Sequence, residues 1–300
     1  MKNFTLTPRV AGFFFGGAAA VSYGLNPFFG IPLYDEGLKP LSVLFYRFTF
    51  AAVLLAIVMF CRKESFKLPK EYWLHTCGAG IMLGLTCLFW FLSFKIMDSG
   101  IAATILFSYP VMVALIMFTF YRERLNFKTI CGIITAIAGI LLLCQPGNGC
   151  KVNLEGIIYI LLSALTYAVY IVGVKQSRLV KLPPATLTFY ALLFAVPIFL
   201  IPLRMGADLQ MLHSLKTILY TLGLALIPSL CAFLFTALAI HRIGPTRAAV
   251  MGALEPVTAL TAGIFCFNEP MTWKVLLGII VIISAVTVVI KGSEKAPQQP

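Results

Sequence analysis

The stretch GPTRAAVMGALEPVTALTAGIFCFNEP, residues 244–270, decides the fold. It opens on Gly244-Pro245, closes on Asn268-Glu269-Pro270, and between them runs apolar for the length of a bilayer-crossing helix. Glu255 and Pro256 stand at its centre. An ionisable side chain at that depth costs at least about 2.5 kcal/mol on insertion scales, so it faces a wet cavity or a partner. The proline beside it frees a backbone carbonyl and permits a kink. The stretch therefore predicts one membrane-spanning helix broken in its middle, with the protein's function at the break.

Composition agrees. The chain has 300 residues, of which 60% are hydrophobic and 11% charged, and its mean hydropathy is +0.95. Soluble chains carry about 25% charged residues, so this is an integral membrane protein in contact with the lipid bilayer. The net charge of +12 implies no nucleic acid, because the basic residues lie scattered between apolar runs rather than on one arm. The eight cysteines form no C-x-x-C pair and mostly lie inside apolar runs, so they read as small buried hydrophobes with no disulfide framework and no metal site. Cys150 alone falls at a loop. The amino terminus imitates a signal peptide, with Lys2, Arg9 and then Ala18-Ala19-Ala20, but its apolar run continues to about Tyr34 and its pattern recurs later. It is the first span.

Apolar runs of spanning length fall at 10–33, 41–61, 74–97, 100–121 and 127–144, then at 154–175, 185–204, 216–240, 245–267 and 273–291. The expectation is an all-α protein of ten transmembrane helices with short connections and a disordered tail over 293–300. Sixteen Lys and Arg residues lie at the two termini and in the loops after the even spans through span 8. Six lie in the loops after the odd spans, and Arg47 is inside span 2. The positive-inside rule then puts both termini in the cytoplasm of a cell-membrane protein. Trp73 and Trp273, at span entrances, suit an aromatic belt.

The chain also repeats itself. At an offset of 144, Gly12 matches Gly156, Tyr23 matches Tyr167, Pro40 matches Pro184 and Tyr46 matches Tyr190. At 146, Pro110 matches Pro256, Glu123 matches Glu269, Lys128 matches Lys274 and Gly132 matches Gly278. Two five-helix domains follow, over 1–148 and 149–292. Five is odd, so the second enters from the opposite side, and the pair forms an inverted repeat.

Phe45-Tyr46-Arg47-Phe48, Tyr109-Pro110-Val111 with Arg122-Glu123-Arg124-Leu125, and their counterparts Leu254-Glu255-Pro256-Val257 and Asn268-Glu269-Pro270 resemble the drug/metabolite transporter superfamily, EamA-type ten-helix branch. The likeness covers about residues 10–290. It implies a facilitator or exchanger of amino acids or related metabolites, often an exporter, with a central cavity lined by spans 1, 3, 4, 6, 8 and 9.

Glu255 is the first candidate for substrate binding: a proton-linked carboxylate or a counter-charge for a substrate ammonium. The alternative is a structural acid that caps the broken backbone or pairs with Arg47. Its repeat counterpart is Tyr109, so the charge is asymmetric between the halves, whereas a purely architectural acid would more naturally be duplicated. Arg47 would suit a carboxylate or phosphate, but a structural role is the favoured reading, as a snorkelling side chain or through a hydrogen bond to backbone at a helix end. Tyr23 and Asn26 on span 1 share a face, as do Tyr167 and Tyr170 on span 6, and both pairs suit cavity walls. Trp90, with Thr86 and Phe94 on its face, is read equally as a stacking ring or a core aromatic. Ser108 beside Tyr109 and Pro110, and Ser229 beside Pro228, are expected to satisfy backbone groups freed at breaks. Glu123, Glu269, Lys128 and Lys274 read as hairpin ion pairs at the interface. Gly12-x-x-x-Gly16 and Gly80-x-x-x-Gly84 read as close-packing faces.

These residues predict a secondary carrier of zwitterionic metabolites working by alternating access, coupled to protons, as a monomer or homodimer. There is no phosphate loop for nucleotide, no cofactor motif and no convergent catalytic set, so an enzyme is not expected. A channel or a non-transporting sensor stays open as an alternative.

Overall fold

The computed structural model describes residues 7–93, 96, 102, 105–123, 127–143, 153–258, 261 and 273–294. No strand occurs among them. Span 1 is two helices, α1 (Pro8–Gly24) and α2 (Asn26–Asp35), separated at Leu25. Then come α3 (Pro40–Cys61), α4 (Lys70–Ser93), α5 (Tyr109–Tyr121) and α6 (Phe127–Leu143). The later part holds α7 (Leu154–Gln176), α8 (Pro184–Leu200), α9 (Leu215–Ala225), a π-helical turn (Leu226–Cys231), α10 (Ala232–Ile243), α11 (Pro245–Met251) and α12 (Trp273–Glu294). Among the described residues, four stretches are long and apolar enough to cross a bilayer: α3, α4, α7 and the continuous run Leu215–Ile243. The stretches 262–272 and 144–152, with Cys150, Asn268, Glu269 and Pro270, lie outside the described residues, as do Phe94 and the tail from 295. The side chain of Lys274 is also outside them.

Local chemistry sets the starts. Thr7 accepts from the Val10 amide ahead of Pro8, Asn153 caps α7 through the Glu155 amide, and Ser214 and Thr217 form a reciprocal capping box on α9. Proline occupies the first turn of α3, α5, α8 and α11, where its missing N–H costs nothing. Gly244 turns the chain from α10 into α11 at φ +83°, a conformation that suits glycine.

Most of the packing runs between the early and late halves. α1 lies on α10, α4 on α7 and α8, α3 on α8 and α9, α5 on α7 and α11, and α6 on α12. The small-residue faces carry the closest approaches. A Cβ on Gly80 would lie 2.7 Å from the Ala191 carbonyl oxygen, and one on Gly12 would lie 2.5 Å from Ile243 Cγ2. Outward, Phe14, Phe60, Phe118 and Phe120 are exposed, as suits side chains that meet lipid. Trp73, half exposed, donates Nε1 to the Leu68 carbonyl at 3.3 Å, and Trp273 is exposed at the start of α12.

Two spans break in the middle at matching places. Gly252 and Ala253 interrupt the helix between α11 and the helical residues 254–258. Phe107 and Ser108 interrupt the helix just before α5. At the 146-residue offset these breaks fall within a residue of each other. Ser108 does not serve as expected, since its hydroxyl is buried without a hydrogen-bond partner; the carbonyl of Ser108 instead accepts from Val111 and Met112 and starts α5.

Candidate functional site

Glu255 is the second residue of the helical segment that follows the Gly252–Ala253 break, and its amide bonds back to the Gly252 carbonyl at 2.9 Å. Its carboxylate Oε1 accepts from the Tyr109 hydroxyl at 3.4 Å. The same hydroxyl lies 3.2 Å from the Ala249 carbonyl, an acceptor in the last turn of α11. Tyr109 and Glu255 are equivalent positions of the two halves, so the repeat brings its own counterparts into contact. Gly252 makes room for this: a Cβ there would lie 1.6 Å from the Tyr109 hydroxyl oxygen.

A small cavity opens at this point, about 10 Å³ in volume, room for about one water. Glu255, Tyr109, Tyr167 and Thr236 supply its polar edge, while Gly16, Ala19 and Ala20 of α1 supply a low wall. The Tyr167 ring meets Tyr109 edge-on at 4.8 Å and stacks on Tyr170 at 6.2 Å. Three of the eight residues singled out from sequence therefore line one cavity: Glu255, Tyr109 and Tyr167. Tyr170 supports Tyr167 from behind, its own hydroxyl buried and unpartnered.

The other four form a second group. Tyr23 stacks on Trp90 at 5.3 Å and leans on Phe233 at 5.8 Å, with its hydroxyl 3.8 Å from Cys87 Sγ. Trp90 is thus a buried core aromatic against Tyr23, and Thr86 on its face bonds to Met82 and Thr166. Asn26 donates Nδ2 to the Tyr23 carbonyl at 2.8 Å and so bridges the α1–α2 break. Arg47 is wholly buried. It donates Nε to Ser229 Oγ at 2.5 Å and Nη2 to the Pro228 carbonyl at 3.0 Å, while Ser229 in turn donates to the Leu224 carbonyl at 2.8 Å. Proline at 228 has no N–H to offer Leu224, so the serine takes over that acceptor, and the arginine bonds the serine and the carbonyl of the proline itself. No ion pair joins Arg47 to Glu255 among the described residues, and Arg47 does not line the cavity that Glu255 lines.

Glu123 looks across to the other half rather than only along its own hairpin. Thr246 donates to it at 3.4 Å. Burial pushes its carboxyl above the usual range, against the pull of Arg247 and that hydrogen bond. Sequence reasoning missed Gly252, Thr236 and the Gly16–Ala20 wall as parts of the site. The glycine three residues before Glu255 was the one available signal, since a residue one turn from a buried acid lies on its face.

A chain whose described residues form helices and no strand, with apolar spans and a half-buried acid beside a helix break, is a polytopic membrane protein built around an internal polar site. The EamA-like transporter family model matches it twice, over residues 10–145 and 154–291. The chain belongs to that family, and it is a membrane transporter. It is 26% identical over 261 residues to an uncharacterized transporter of Archaeoglobus fulgidus, covering 85% of this chain and 90% of that protein. A probable amino-acid metabolite efflux pump of Escherichia coli is 26% identical over 205 residues, 65% of this chain and 69% of its own. An S-adenosylmethionine uptake transporter of Rickettsia bellii is 25% identical over 262 residues, covering 86% of each chain. One solved crystal structure superposes on 93% of this chain and 96% of its own, with a TM-score of 0.80 at 16% identity. That last likeness is one of fold.

Proposed function

We propose that this chain is a secondary carrier of small zwitterionic metabolites, amino acids or close relatives, that works by alternating access around Glu255. Ten spans form two inverted five-helix domains, over 1–148 and 149–292, with both termini in the cytoplasm. Exchanging each span for its counterpart turns the α1–α10 contact into α7–α4 and the α3–α9 contact into α8–α4, while α3–α8, α6–α12 and α5–α11 each map onto themselves. A contact pattern closed under that exchange supports a pseudo-two-fold relation between the halves.

The observation that carries the reading is the Glu255–Tyr109 contact at 3.4 Å. It joins the two domains at their equivalent positions, beside two helix breaks and a cavity. Rocking the halves alters this contact without unmaking either domain. The cavity holds only about one water, which supports an occluded form that must open to admit solute. Two relatives, a probable amino-acid metabolite efflux pump and an S-adenosylmethionine uptake transporter, support substrates bearing both an ammonium and a carboxylate. Export is the proposed direction and protons the coupling ion, with Glu255 as carrier of the proton.

Counterflow in proteoliposomes tests the carrier claim. Vesicles preloaded with unlabelled amino acid are expected to accumulate trace labelled amino acid transiently above equilibrium. A channel would only equilibrate the label, and that outcome would overturn the reading.

A further inference from the structure

The Arg47 guanidinium is buried with no carboxylate in ion-pair range among the described residues. Two of its nitrogens are held by the π-helical turn, and the third, Nη1, has no hydrogen-bond partner. Aromatic faces surround its charge: Tyr23, Phe48, Phe91 and Phe233 all have ring centres 5.7–5.9 Å from Cζ. Tyr34, on α2, packs on the same Phe91 ring at 6.2 Å. Its hydroxyl is also buried without a partner.

Phe91 thus has near it both a fixed cation and a tyrosine, each with one donor atom that has no hydrogen-bond partner among the described residues. Structural bonding accounts for Nε and Nη2 of the arginine but leaves Nη1 and Tyr34 unexplained. Buried donors without acceptors are destabilising, and a guanidinium is suited to carboxylates through its planar edge.

We propose that Arg47 Nη1 and the Tyr34 hydroxyl form an anion subsite, one aromatic layer away from Glu255, that takes a carboxylate group. Tyr23 is part of that layer: its ring stacks on Trp90 and lies against the guanidinium. When the layer parts, the carboxylate of an amino acid meets Arg47 while its ammonium faces the Glu255 side. The inference deepens the carrier reading by assigning the anionic end of the substrate. The same chemistry would hold a free halide ion, so the source of the anion is part of the test.

The test is thermal stabilisation of the purified, full-length protein by three probes: an L-amino acid series, the matching decarboxylated amines, and chloride against a sulfate background. Ligands that bind only the folded state raise Tm by mass action. Amino acids are expected to raise Tm where their amines do not. Tyr34→Phe is expected to keep the ligand-free Tm at or above that of the wild type, because its hydroxyl bonds to nothing. It should nevertheless weaken the amino-acid response about tenfold, the loss of one charge-assisted hydrogen bond. Arg47→Lys should weaken it further, and comparing its response with its own ligand-free Tm separates binding from folding. A chloride response lost in both variants would assign the subsite to a halide instead of the substrate. Equal responses to amino acids and amines, unchanged in Tyr34→Phe, or no response to any anion, would overturn the proposal. Neither result bears on Glu255, whose role is read by counterflow and proton movement.

Discussion

The break at Pro228 and the break before Pro256 are built alike and behave differently. At each, a side chain from the other half reaches a backbone carbonyl near the interruption. Arg47 on α3 takes the Pro228 carbonyl at 3.0 Å, and Tyr109 on α5 takes the Ala249 carbonyl at 3.2 Å. At Pro228 the arrangement is saturated on the backbone side, because Ser229 also covers Leu224 and anchors the guanidinium. At the other break the acid has one long hydrogen bond and a cavity beside it. A charged residue beside a membrane proline is therefore a site only through the donors that the backbone leaves unused. What distinguishes them is whether the polar group is consumed by the backbone it interrupts.

The comparison can be broken most sharply at Gly252. Gly252→Ala places a methyl 1.6 Å from the Tyr109 oxygen and 3.0 Å from the Ala249 carbonyl. It is expected to lower stability toward the upper end of the roughly 1–3 kcal/mol range for overpacking, with transport lost. Adding Tyr109→Phe removes the nearest atom, so the double variant should recover part of the melting temperature, and a double-mutant cycle measures the coupling. If Gly252→Ala melts like the wild type, the close approach at this break is misjudged.

Ser229→Ala probes the saturated break. It strips the Leu224 carbonyl of its donor and Arg47 Nε of its acceptor, at about 1–3 kcal/mol, while leaving the cavity untouched. A melting curve checks the loss. Amino-acid affinity should weaken with it, because Ser229 holds the guanidinium of the anion subsite. Proton coupling through Glu255 in the folded fraction should stay unchanged, and that checks the separation of the two regions. Tyr109→Phe comes next. One hydroxyl proton shared between two long contacts is lost, so stability should fall by only about 1 kcal/mol, while the pH dependence of transport shifts because the acid loses the hydrogen-bond partner it has among the described residues. The smallest effect is expected at the exposed Lys216–Glu36 pair, 2.8 Å apart. Exposed pairs contribute little, so Lys216→Ala should leave both melting temperature and transport within error.

Much of this was legible from the chain. Span positions follow from hydropathy alone, and the close approaches at Gly12 and Gly80 follow from small residues four apart. The break beside Glu255 was announced by its proline, and the role of Ser229 by the proline before it. The repeat offset paired Tyr109 with Glu255 before any geometry was known. Contacts across the repeat were not legible. No local pattern says that Arg47 will meet a turn 181 residues away, or that Tyr34 will share Phe91 with it. The π-helical turn was hidden too, because Leu226–Cys231 reads as continuous apolar helix and only the tertiary partners of its carbonyls make the extra residue tolerable. Trp90 reads from sequence equally as a stacking ring or a core aromatic, and Asn26 as a cavity-wall residue. That Trp90 stacks on Tyr23 and that Asn26 donates to the Tyr23 carbonyl are contacts no local pattern announces.

The most direct test of the account is proton movement with solute in proteoliposomes, comparing wild type with Glu255→Gln. An amino acid imposed on one side is expected to drive a pH change in wild-type vesicles. The variant should fold with the same helix content, exchange amino acid, and move no protons. Solute-driven proton movement that survives in Glu255→Gln would contradict the central claim, and the acid would then be a structural cap at the break.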